Sequence, residues 1–503
     1  MPGTTPNQVP LADLLASVPD VRLTGDPRQP IGAVCADSRQ AQPGCLFVAI
    51  RGLATDGHRF VPDAVRAGAV AVAYEDEWAV AGLADLIARL HVPDSRRFAA
   101  LAAAAFYGTP SAGLCLVGVT GTNGKTTVTY LLDTIFRAAG AETGVIGTLG
   151  WQLGSERLPT VRTTPEAPEL QALLRRMAAE GVTHVALEVS SHGLALHRVL
   201  GCKFDAAVFT NLTQDHLDFH ADLDDYLAAK LRLFTDYADA ARPQKQLVGV
   251  VNLDDPGGRQ IAAGARCRLS TYAIEADADL RAAQVTREGH CTRFVLEAAT
   301  QGQRRQVNLP SVGRFSVYNA LAAAACGLAL GFDLDLIADA LAQAPRVPGR
   351  FELVDEGQPF QVVVDYAHTP DGLANVLRAA RDLTRGRLIC VFGCGGDRDP
   401  DKRPRMGRVV GQLADLAIVT SDNPRSEEPH AIIAQILPGL DGAQYVVEAD
   451  REQAIRRGLE LCRPGDLLLI AGKGHETYQV FRDRTIEFDD RAVARSILRS
   501  MVR

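Results

Sequence analysis

Seven consecutive residues, Gly121-Thr122-Asn123-Gly124-Lys125-Thr126-Thr127, have the composition of a phosphate-binding turn. They follow an apolar segment at 114–119 that predicts a buried strand, and they open a helical segment at 128–138. At such a junction backbone N–H groups point at an anion, and the helix dipole adds partial positive charge. The lysine can reach the terminal phosphates, and the hydroxyl after it can hold Mg²⁺. The sequence therefore predicts that the chain binds and cleaves ATP.

This turn departs from the general P-loop pattern. Val119 stands where that pattern has its first glycine. A chance glycine-rich turn is the alternative interpretation. The strand before the turn and the helix after it favour the phosphate-binding interpretation.

Glu188 ends a second apolar segment and is followed by Ser190-Ser191-His192-Gly193. A carboxylate at this position is a suitable ligand for Mg²⁺, which prefers oxygen. The alternative is a glutamate that only caps the edge of the core. We favour the metal role because Glu188 and the phosphate turn are expected at the same sheet edge.

The segment 211–220 contains several potential ligands, among them His216 and His220 at helical spacing. This pair lacks the glutamate of an H-E-x-x-H zinc site. A capped helix start with surface histidines is the simpler interpretation. Lys230 lies in an amphipathic helical segment at 222–234, where a lysine is usually solvated. A lysine facing the site could instead react with CO₂ to form a carbamate, which is an anionic metal ligand.

Polar turns also follow three predicted strands in the last third of the chain. Arg398 follows a glycine-rich turn, Asp422-Asn423-Pro424-Arg425 follows the next strand, and Gly472-Lys473-Gly474-His475-Glu476 follows another. Guanidinium groups bind carboxylates and carboxylates bind ammonium groups, so these turns suit a zwitterionic substrate. Surface salt bridges could explain any one of the turns, but not easily all three.

The elements that must position these residues alternate between apolar strands and helices. This alternation predicts an α/β protein with mostly parallel sheets, whose ligands lie at the carboxyl ends of the strands. We expect three domains: a smaller N-terminal α/β domain at 1–110, a central P-loop domain at 111–345, and a doubly wound, Rossmann-like domain at 346–503.

The composition of the 503-residue chain is that of a globular protein, with 47% apolar and 22% charged residues. A net charge of −7 argues against a nucleic-acid binder. No apolar run reaches the roughly 18 residues of a membrane-spanning helix, and the N-terminus lacks a secretory signal pattern. The ten cysteines form no C-x-x-C pair, which favours reduced thiols and a cytoplasmic location.

Together these motifs resemble those of the Mur ligases, the ATP-dependent amide-bond-forming enzymes of bacterial cell-wall precursor assembly. The resemblance covers nearly the whole chain. Besides the residues quoted above, it rests on the following motifs: Asp37-Ser38-Arg39, Thr163-Thr164-Pro165, Gly349-Arg350-Phe351-Glu352 and Asp365-Tyr366-Ala367-His368-Thr369-Pro370. The turn at 422–425 resembles that of members that add meso-diaminopimelate rather than lysine to UDP-N-acetylmuramoyl-L-alanyl-D-glutamate.

The resemblance implies a role for each site residue. Catalysis would involve Lys125, Glu188, His216 and Lys230, with Lys230 carbamylated (N6-carboxylysine) and Mg²⁺ near Thr126, Glu188 and His216. ATP would bind residues 121–127, Asn319 and Arg350. The UDP-sugar-peptide would contact Ser38, Leu53, Ala54, Thr55, Thr163, Thr164, Ser190, Leu196 and Arg198. Diaminopimelate would contact Arg398, Asp422, Asn423, Pro424, Arg425, Gly472 and Glu476. The chain would be a monomer.

Three positions depart from the family pattern. Leu196 replaces a glutamine that touches the sugar-peptide, Ser316 replaces an asparagine, and Asp401 replaces a glycine. The alternative functions are a lysine-adding ligase, a folylpolyglutamate synthase, a kinase, or a nucleotide-binding regulatory module without ligase activity.

Overall fold

The computed structural model describes residues 8–52, 55–154, 156–160, 162–241, 243, 245–299 and 302–501. These residues form three α/β units in succession, each around its own main sheet. The predicted fold class is confirmed. Leu53 and Ala54, which the resemblance assigns to the uridine nucleotide, lie outside the described residues.

The N-terminal unit has a five-stranded sheet in the order β2-β7-β6-β5-β4, parallel except for β2. Its central strands are apolar and buried on both faces, as parallel sheets require. The strands are β1 (Val9–Pro10), β2 (Arg22–Thr24), β3 (Pro30–Ile31), β4 (Ala33–Cys35), β5 (Cys45–Val48), β6 (Ala71–Tyr74) and β7 (Ala88–His91). The helices are α1 (Leu11–Leu15), α2 (Val61–Arg66) and α3 (Ser95–Phe106).

The central unit has an eleven-stranded sheet in the order β11-β10-β9-β12-β8-β13-β14-β15-β16-β17-β18. Separate apolar clusters cover its two faces. The strands are β8 (Cys115–Thr120), β9 (Thr143–Gly147), β10 (Gly150–Leu153), β11 (Glu156–Leu158), β12 (His184–Glu188), β13 (Ala206–Phe209), β14 (Val248–Asn252), β15 (Arg268–Ala273), β16 (Leu280–Glu288), β17 (Cys291–Ala298) and β18 (Gln303–Leu309). The helices are α4 (Lys125–Ala138), α5 (Ala167–Ala179), α6 (Ser191–Ala195), α7 (Leu223–Leu231), α8 (Asp236–Ala241), α9 (Pro256–Gly264), α10 (Arg314–Ala329) and α11 (Leu334–Ala342).

The C-terminal unit has a six-stranded sheet in the order β19-β20-β24-β21-β22-β23, parallel except for β19. The strands are β19 (Glu352–Leu353), β20 (Gln361–Asp365), β21 (Leu388–Phe392), β22 (Leu416–Val419), β23 (Tyr445–Val447) and β24 (Leu467–Ala471), followed by the hairpin β25 (Tyr478–Val480) and β26 (Thr485–Glu487). The helices are α12 (Pro370–Leu383), α13 (Lys402–Leu413), α14 (Pro429–Ile436), α15 (Arg451–Leu461) and α16 (Asp490–Met501).

The antiparallel meander β16–β17–β18 is not among the elements predicted from the sequence. Its middle strand alternates strictly between half-buried and buried residues, because only one face of the strand meets the core. That period-2 pattern was available in the sequence. In the described part of the chain, no helix is both long and apolar enough to cross a membrane.

Candidate active site

The phosphate turn connects β8 to α4 and has two glycines that no other residue could replace without strain. Gly121 has φ 139° and Gly124 has φ 89°, both in the region that side chains disfavour. A Cβ at Gly121 would overlap Thr210 Oγ1, and one at Gly124 would overlap Asn319 Oδ1. Asn319 on α10 therefore lies directly against the turn, as the ATP-binding prediction requires.

Lys125 and Lys230 meet at a single carbonyl oxygen. The Nζ of Lys125 donates to Gly121 O at 2.9 Å and to Thr122 O at 2.8 Å. The Nζ of Lys230 donates to the same Gly121 O at 3.0 Å, and Lys230 is buried. Burial, and then the charge of Lys125, lower the pKa of Lys230 well below its usual range. A buried amine beside another cation is therefore driven toward its neutral, nucleophilic form.

Arg350 reaches the phosphate turn from the start of the C-terminal unit. Its Nη2 donates to Thr126 Oγ1 at 2.9 Å, and its guanidinium lies 4.4 Å from the centre of the Tyr366 ring. The carboxylate of Asp365, at the end of β20, accepts from the backbone N–H of Phe351 at 2.6 Å. Asp365 therefore fixes the turn that carries Arg350.

Glu188, at the end of β12, is buried, and one residue, Thr148, donates hydrogen bonds to both of its carboxylate oxygens. Its Oε1 accepts from Thr148 N at 2.9 Å, and its Oε2 accepts from Thr148 Oγ1 at 3.0 Å. Thr148 Oγ1 also lies 3.1 Å from Thr163 Oγ1. The carboxylate of Glu188 and the hydroxyl of Thr126 line the same cleft and are the hard oxygen donors that suit Mg²⁺.

His216 lies among aromatic rings between the Glu188 loop and α7. Its ring is 4.9 Å from that of His192, and its Nε2 is 3.5 Å from Asp215 Oδ2. Burial lowers the pKa of His216 to about 3, against the opposing effect of Asp215. His220 bonds Asp225 through Nδ1 at 3.0 Å. A neutral His216 has a nitrogen lone pair available for a metal ion.

A second face of the cleft carries hydroxyls and an arginine cluster. Thr164 Oγ1 donates to Glu188 O at 2.9 Å and lies 3.0 Å from Ser190 Oγ. Arg198 Nη2 lies 3.0 Å from Glu166 Oε1, and Arg96 of the N-terminal unit lies 3.6 Å from the same carboxylate. This face therefore joins the central unit to the N-terminal unit.

Ser38 opens a short 3₁₀ helix that follows β4. The preceding Asp37 caps this helix by accepting from Arg39 N at 3.0 Å. The hydrogen bond from Arg39 and, with a smaller effect, the charge of Arg162 lower the pKa of Asp37. Leu196 ends α6 outside the residues that line the cleft.

Many of the predicted positions line one cleft of about 640 Å³ between the central and C-terminal units. Most of the predicted nucleotide, metal and sugar-peptide residues line it: Thr122, Asn123, Gly124, Lys125, Thr126, Thr127, Thr163, Thr164, Glu188, Ser190, Arg198, His216, Asn319 and Arg350. Ser38, Thr55, Leu196 and Lys230 are not among its lining residues.

A second cluster lies on the C-terminal unit, at the ends of β22 and β24. Asn423 Nδ2 donates to Glu476 Oε2 at 2.8 Å, and Asp422 Oδ2 is buried without a partner among the described residues. A Cβ at Gly472 would come within 2.5 Å of that same Asp422 oxygen. The structure thus brings four of the predicted diaminopimelate residues together.

Arg425 and Arg398 flank this cluster. Arg425 has a left-handed φ of 52°, which is uncommon for a non-glycine residue, and its Nη1 donates to Gly396 O at 2.7 Å. Arg398 Nη1 donates to Asp397 O at 2.9 Å. The two guanidinium groups are bound to backbone carbonyls and to no described carboxylate, so their charge is not cancelled by a direct ion pair.

The cluster touches the cleft through two rings. His475 lies 5.0 Å from the ring of Tyr366, and Tyr366 lines the cleft. Burial, and then the charge of Arg350, lower the pKa of His475 to about 3. This second cluster is therefore linked to the phosphate turn through His475, Tyr366 and Arg350.

Within the described ranges, one group of three metal-ligating side chains is close enough to share an ion: Asp56, His58 and Asp76 of the N-terminal unit. His58 Nδ1 bonds Asp56 at 2.7 Å, and its Nε2 accepts from Glu75 N at 3.0 Å. Asp76 pairs with Arg51. The side chains of this group therefore already have protein partners, and neither His216 nor His220 belongs to such a group among the described residues.

The sequence reasoning gave no individual role to three residues at the site. Thr148 orients Glu188, Asp365 fixes the Arg350 turn, and Asp371 Oδ2 accepts from Asn123 Nδ2 across the cleft at 3.2 Å. Asp365 was quoted only as part of a family motif, although its place at the end of a strand is where ligand-binding residues are expected. Thr148 carries no such signal.

Three family models match: "Mur ligase family, catalytic domain" at residues 30–107, "Mur ligase middle domain" at 119–327, and "Mur ligase, glutamate ligase domain" at 349–474. The matches together cover more than half of the chain.

The chain belongs to the Mur ligase family. It is 47% identical over 94% of its length to a UDP-N-acetylmuramoyl-L-alanyl-D-glutamate–2,6-diaminopimelate ligase from Syntrophomonas wolfei, covering 96% of that protein. The same-named ligase of Bacillus velezensis is 46% identical over 92% of the chain and 93% of the relative. A solved structure of a ligase of that name has a TM-score of 0.68 and 33% identity, covering 99% of this chain and 100% of that one. The predicted resemblance to Mur ligases is confirmed.

Proposed function

We propose that this Mur ligase joins meso-diaminopimelate to the γ-carboxylate of the D-glutamyl residue in UDP-N-acetylmuramoyl-L-alanyl-D-glutamate, using ATP, in peptidoglycan precursor synthesis. The observation that carries the proposal is the meeting of two sites. Arg350 bonds Thr126 of the phosphate turn and lies over Tyr366, whose ring is 5.0 Å from that of His475, next to Glu476 in the second cluster. The names of the relatives described above support the same substrates.

The first step activates a carboxylate, which is too poor an electrophile to react with an amine directly. An oxygen of the γ-carboxylate attacks the γ-phosphorus of ATP, and the bond to the bridging oxygen of ADP breaks. The products are an acyl phosphate and ADP. Lys125 and the backbone amides of the turn stabilise the negative charge on the transferring phosphoryl group. Arg350 is near enough to Thr126 to act on the same nucleotide.

The second step forms the amide. The neutral amine of diaminopimelate attacks the acyl carbon to give a tetrahedral intermediate, the bond to the phosphate oxygen breaks, and the departing phosphate takes up the proton that the nitrogen loses. Glu476 would bind one ammonium group of the zwitterion, and Arg425 and Arg398 would bind carboxylate. Thr163, Thr164, Ser190 and Arg198 would hold the uridine-linked peptide, and Ser38 the uracil.

Mg²⁺ would be held by Glu188, His216, Thr126 and a carbamate on Lys230, and it would neutralise phosphate charge during the reaction. The donor set fits a hard cation, because Glu188 and Thr126 offer oxygen and a carbamate would add two more oxygens. Carbamylation of Lys230 would also remove the repulsion between the two ammonium groups at Gly121 O, because an anion on Lys230 would then face the cation of Lys125.

The decisive experiment incubates the protein with ATP, the uridine-linked dipeptide and, separately, diaminopimelate, lysine or a folate with glutamate. Mass spectrometry of the product names the added group. A product with diaminopimelate and matched release of phosphate is expected. Addition of lysine or of glutamate to folate would replace the proposal by those ligases. ADP formed without an amine would indicate a kinase, and no turnover would indicate a regulatory module.

The carbamate on Lys230 can be tested by itself. Protein equilibrated with carbon-13-labelled bicarbonate should give a carbamate carbon resonance. The signal should be absent in Lys230→Met and present in Lys245→Met, which removes a buried lysine paired with Asp205 far from the turn. A spectrum that is the same in all three proteins would refute modification of Lys230.

We also propose that the protein works as a cytoplasmic monomer, since one chain supplies all residues of the site. Buried free thiols such as Cys390 and Cys394 suit a reducing compartment. Light scattering at working concentration should give the mass of one chain.

A further inference from the structure

The cluster of Asp422, Asn423, Gly472 and Glu476 is called the amino-acid cluster below. Lys473 lies beneath it and is completely buried. Its Nζ donates to Asn423 Oδ1 at 3.2 Å and to Glu476 Oε2 at 3.1 Å, and it lies 5.5 Å from the centre of the Tyr478 ring. No role is assigned to Lys473 by the function proposed above. A buried ammonium group is costly unless it is paired and hydrogen-bonded, so its position calls for a physical reason.

The contacts of Lys473 determine which way the amide of Asn423 points. Asn423 Oδ1 accepts from Lys473 Nζ and, at 3.0 Å, from the backbone N–H of Val480. With two donors at the oxygen, the amide nitrogen is left to face Glu476, to which Nδ2 donates at 2.8 Å. Without the lysine, only the Val480 contact would hold this orientation.

The same contacts leave the two carboxylate oxygens of Glu476 in different environments: one is bonded within the protein and the other is available to a ligand. Oε2 accepts from both Asn423 Nδ2 and Lys473 Nζ. Oε1 has no hydrogen-bond partner among residues that the structure describes, and the side chain is 15% exposed. The carboxylate is therefore fixed at one oxygen and open at the other, which is the geometry needed to receive an ammonium group.

We propose that Lys473 is a positioning residue for the amino-acid substrate: it orients Asn423 and Glu476 so that Glu476 Oε1 faces the ammonium group of the incoming zwitterion. This inference rests on the proposed function, because it assumes that Glu476 binds that substrate. Lys473 does not itself touch the substrate, since its ammonium group is occupied by the two side chains it orients.

A second consequence concerns charge. Asp422 and Glu476 place two carboxylates in the cluster, and Lys473 is the cation bonded to one of them. Without Lys473 the cluster would be more negative, and it would favour the distal end of lysine, which is an ammonium group alone, over that of diaminopimelate, which also carries a carboxylate. Lys473 thus contributes to the preference for diaminopimelate over lysine.

The test uses the full-length Lys473→Met protein, which keeps the length of the side chain and removes the charge. We expect the KM for diaminopimelate to rise by about tenfold or more, the loss of one charge-assisted contact. The KM values for ATP and the uridine-linked dipeptide should stay unchanged. Lys245→Met is the matched control, since it removes a buried, paired lysine of the central unit, and it should change none of the three.

A double-mutant cycle separates positioning from a general effect on stability. Lys473→Met should add little to the KM change already caused by Glu476→Gln, because both act through one carboxylate. Effects that multiply independently, an unchanged KM for diaminopimelate, or equal changes in all three KM values would overturn the inference. If Lys473→Met does not fold, Lys473→Gln, which keeps a donor for Asn423 Oδ1 but removes the charge bonded to Glu476, must still raise the KM for diaminopimelate selectively. A wild-type protein that does not add diaminopimelate would refute the proposed function instead.

Discussion

Two amino groups share one carbonyl oxygen at the centre of the site, and this arrangement sets the chemistry of both. Lys125 and Lys230 each donate to Gly121 O, and burial lowers the pKa of both lysines. Lys125 can stay a cation when a triphosphate binds, because a nearby anion favours the charged form. Lys230 is the better candidate for reaction with CO₂, because it is more deeply buried and faces the charge of Lys125.

Replacement of Lys125 by methionine removes the cation and keeps the stem. We expect kcat to fall by about a hundredfold or more, as for loss of one preorganised group that stabilises transition-state charge. Phosphate release at saturating substrates measures the effect, and circular dichroism controls for folding. A folded variant with normal turnover would show that the turn at Gly121 does not bind the reacting phosphates.

His475 predicts how stability depends on pH. Its folded-state pKa of about 3 lies below the ordinary histidine value, so the unfolded chain takes up a proton first as the pH falls. Stability due to a neutral His475 is therefore present above about pH 6.5 and is lost toward pH 3, by about 1 kcal/mol per pH unit. His475→Phe keeps a ring against Tyr366 and should lose less thermal stability between pH 7 and pH 5. If the melting temperatures of the two proteins fall by the same amount between pH 7 and pH 5, the prediction is wrong.

At the scale of elements, the amino-acid cluster depends on the two loops that follow β22 and β24, and a single arginine bonds to both. Arg451, at the start of α15, donates to Ser421 O at 3.2 Å and to Ala471 O at 3.0 Å, the residues just before the two turns. Its guanidinium also makes two bonds to Asp490 at the start of α16, and both side chains are fully buried. The ends of β22 and β24 are thus fixed relative to each other by one ion pair.

Asp490→Ala should be strongly destabilising, because it leaves the charge of Arg451 buried and unpaired. The expected loss is about 3–5 kcal/mol. Calorimetry should show an earlier melting transition for the C-terminal unit. Asp483→Ala removes the partner of Arg484 in an exposed pair and should cost about 0–1 kcal/mol. Equal effects of the two substitutions would contradict the proposed role of the buried pair.

At the scale of the whole molecule, the central and C-terminal units are joined across the cleft by polar contacts. Asn123 bonds Asp371, Arg350 bonds Thr126, and Gln214 Nε2 donates to Asp399 Oδ2 at 3.4 Å. Arg405 donates to the other end of the Gln214 amide. Few and polar contacts of this kind suit units that open to admit substrates and close for the reaction.

Gln214→Ala should weaken the closed arrangement. A hydrogen bond to a charged group such as Asp399 or Arg405 contributes about 1.5–3 kcal/mol, so the ratio of closed to open protein should fall by about tenfold or more. Small-angle X-ray scattering of the ligand-free protein should give a larger radius of gyration, and kcat should fall in parallel. Gln343→Ala, an exposed glutamine within the central unit, is the control. An unchanged radius of gyration would show that Gln214 does not hold the units together.

The sequence by itself determined the parallel α/β sheets, the phosphate turn and the polar turns at strand ends, because these follow from local spacing. Apolar runs, glycines and helix starts are short-range signals that report the edge of a sheet wherever it lies in space. The family resemblance follows from the same motifs.

Only the tertiary structure decided which distant residues meet. Lys230 reaches a carbonyl 109 positions before it, and Asn423 pairs with a carboxylate 53 positions after it. Burial, and therefore the pKa of Lys230 and the need to pair Lys473, depends on what packs around a residue and not on its neighbours in sequence. For this reason the turns could be predicted from residue spacing in the sequence, whereas the charge states and ion pairs of the buried lysines beside them could not.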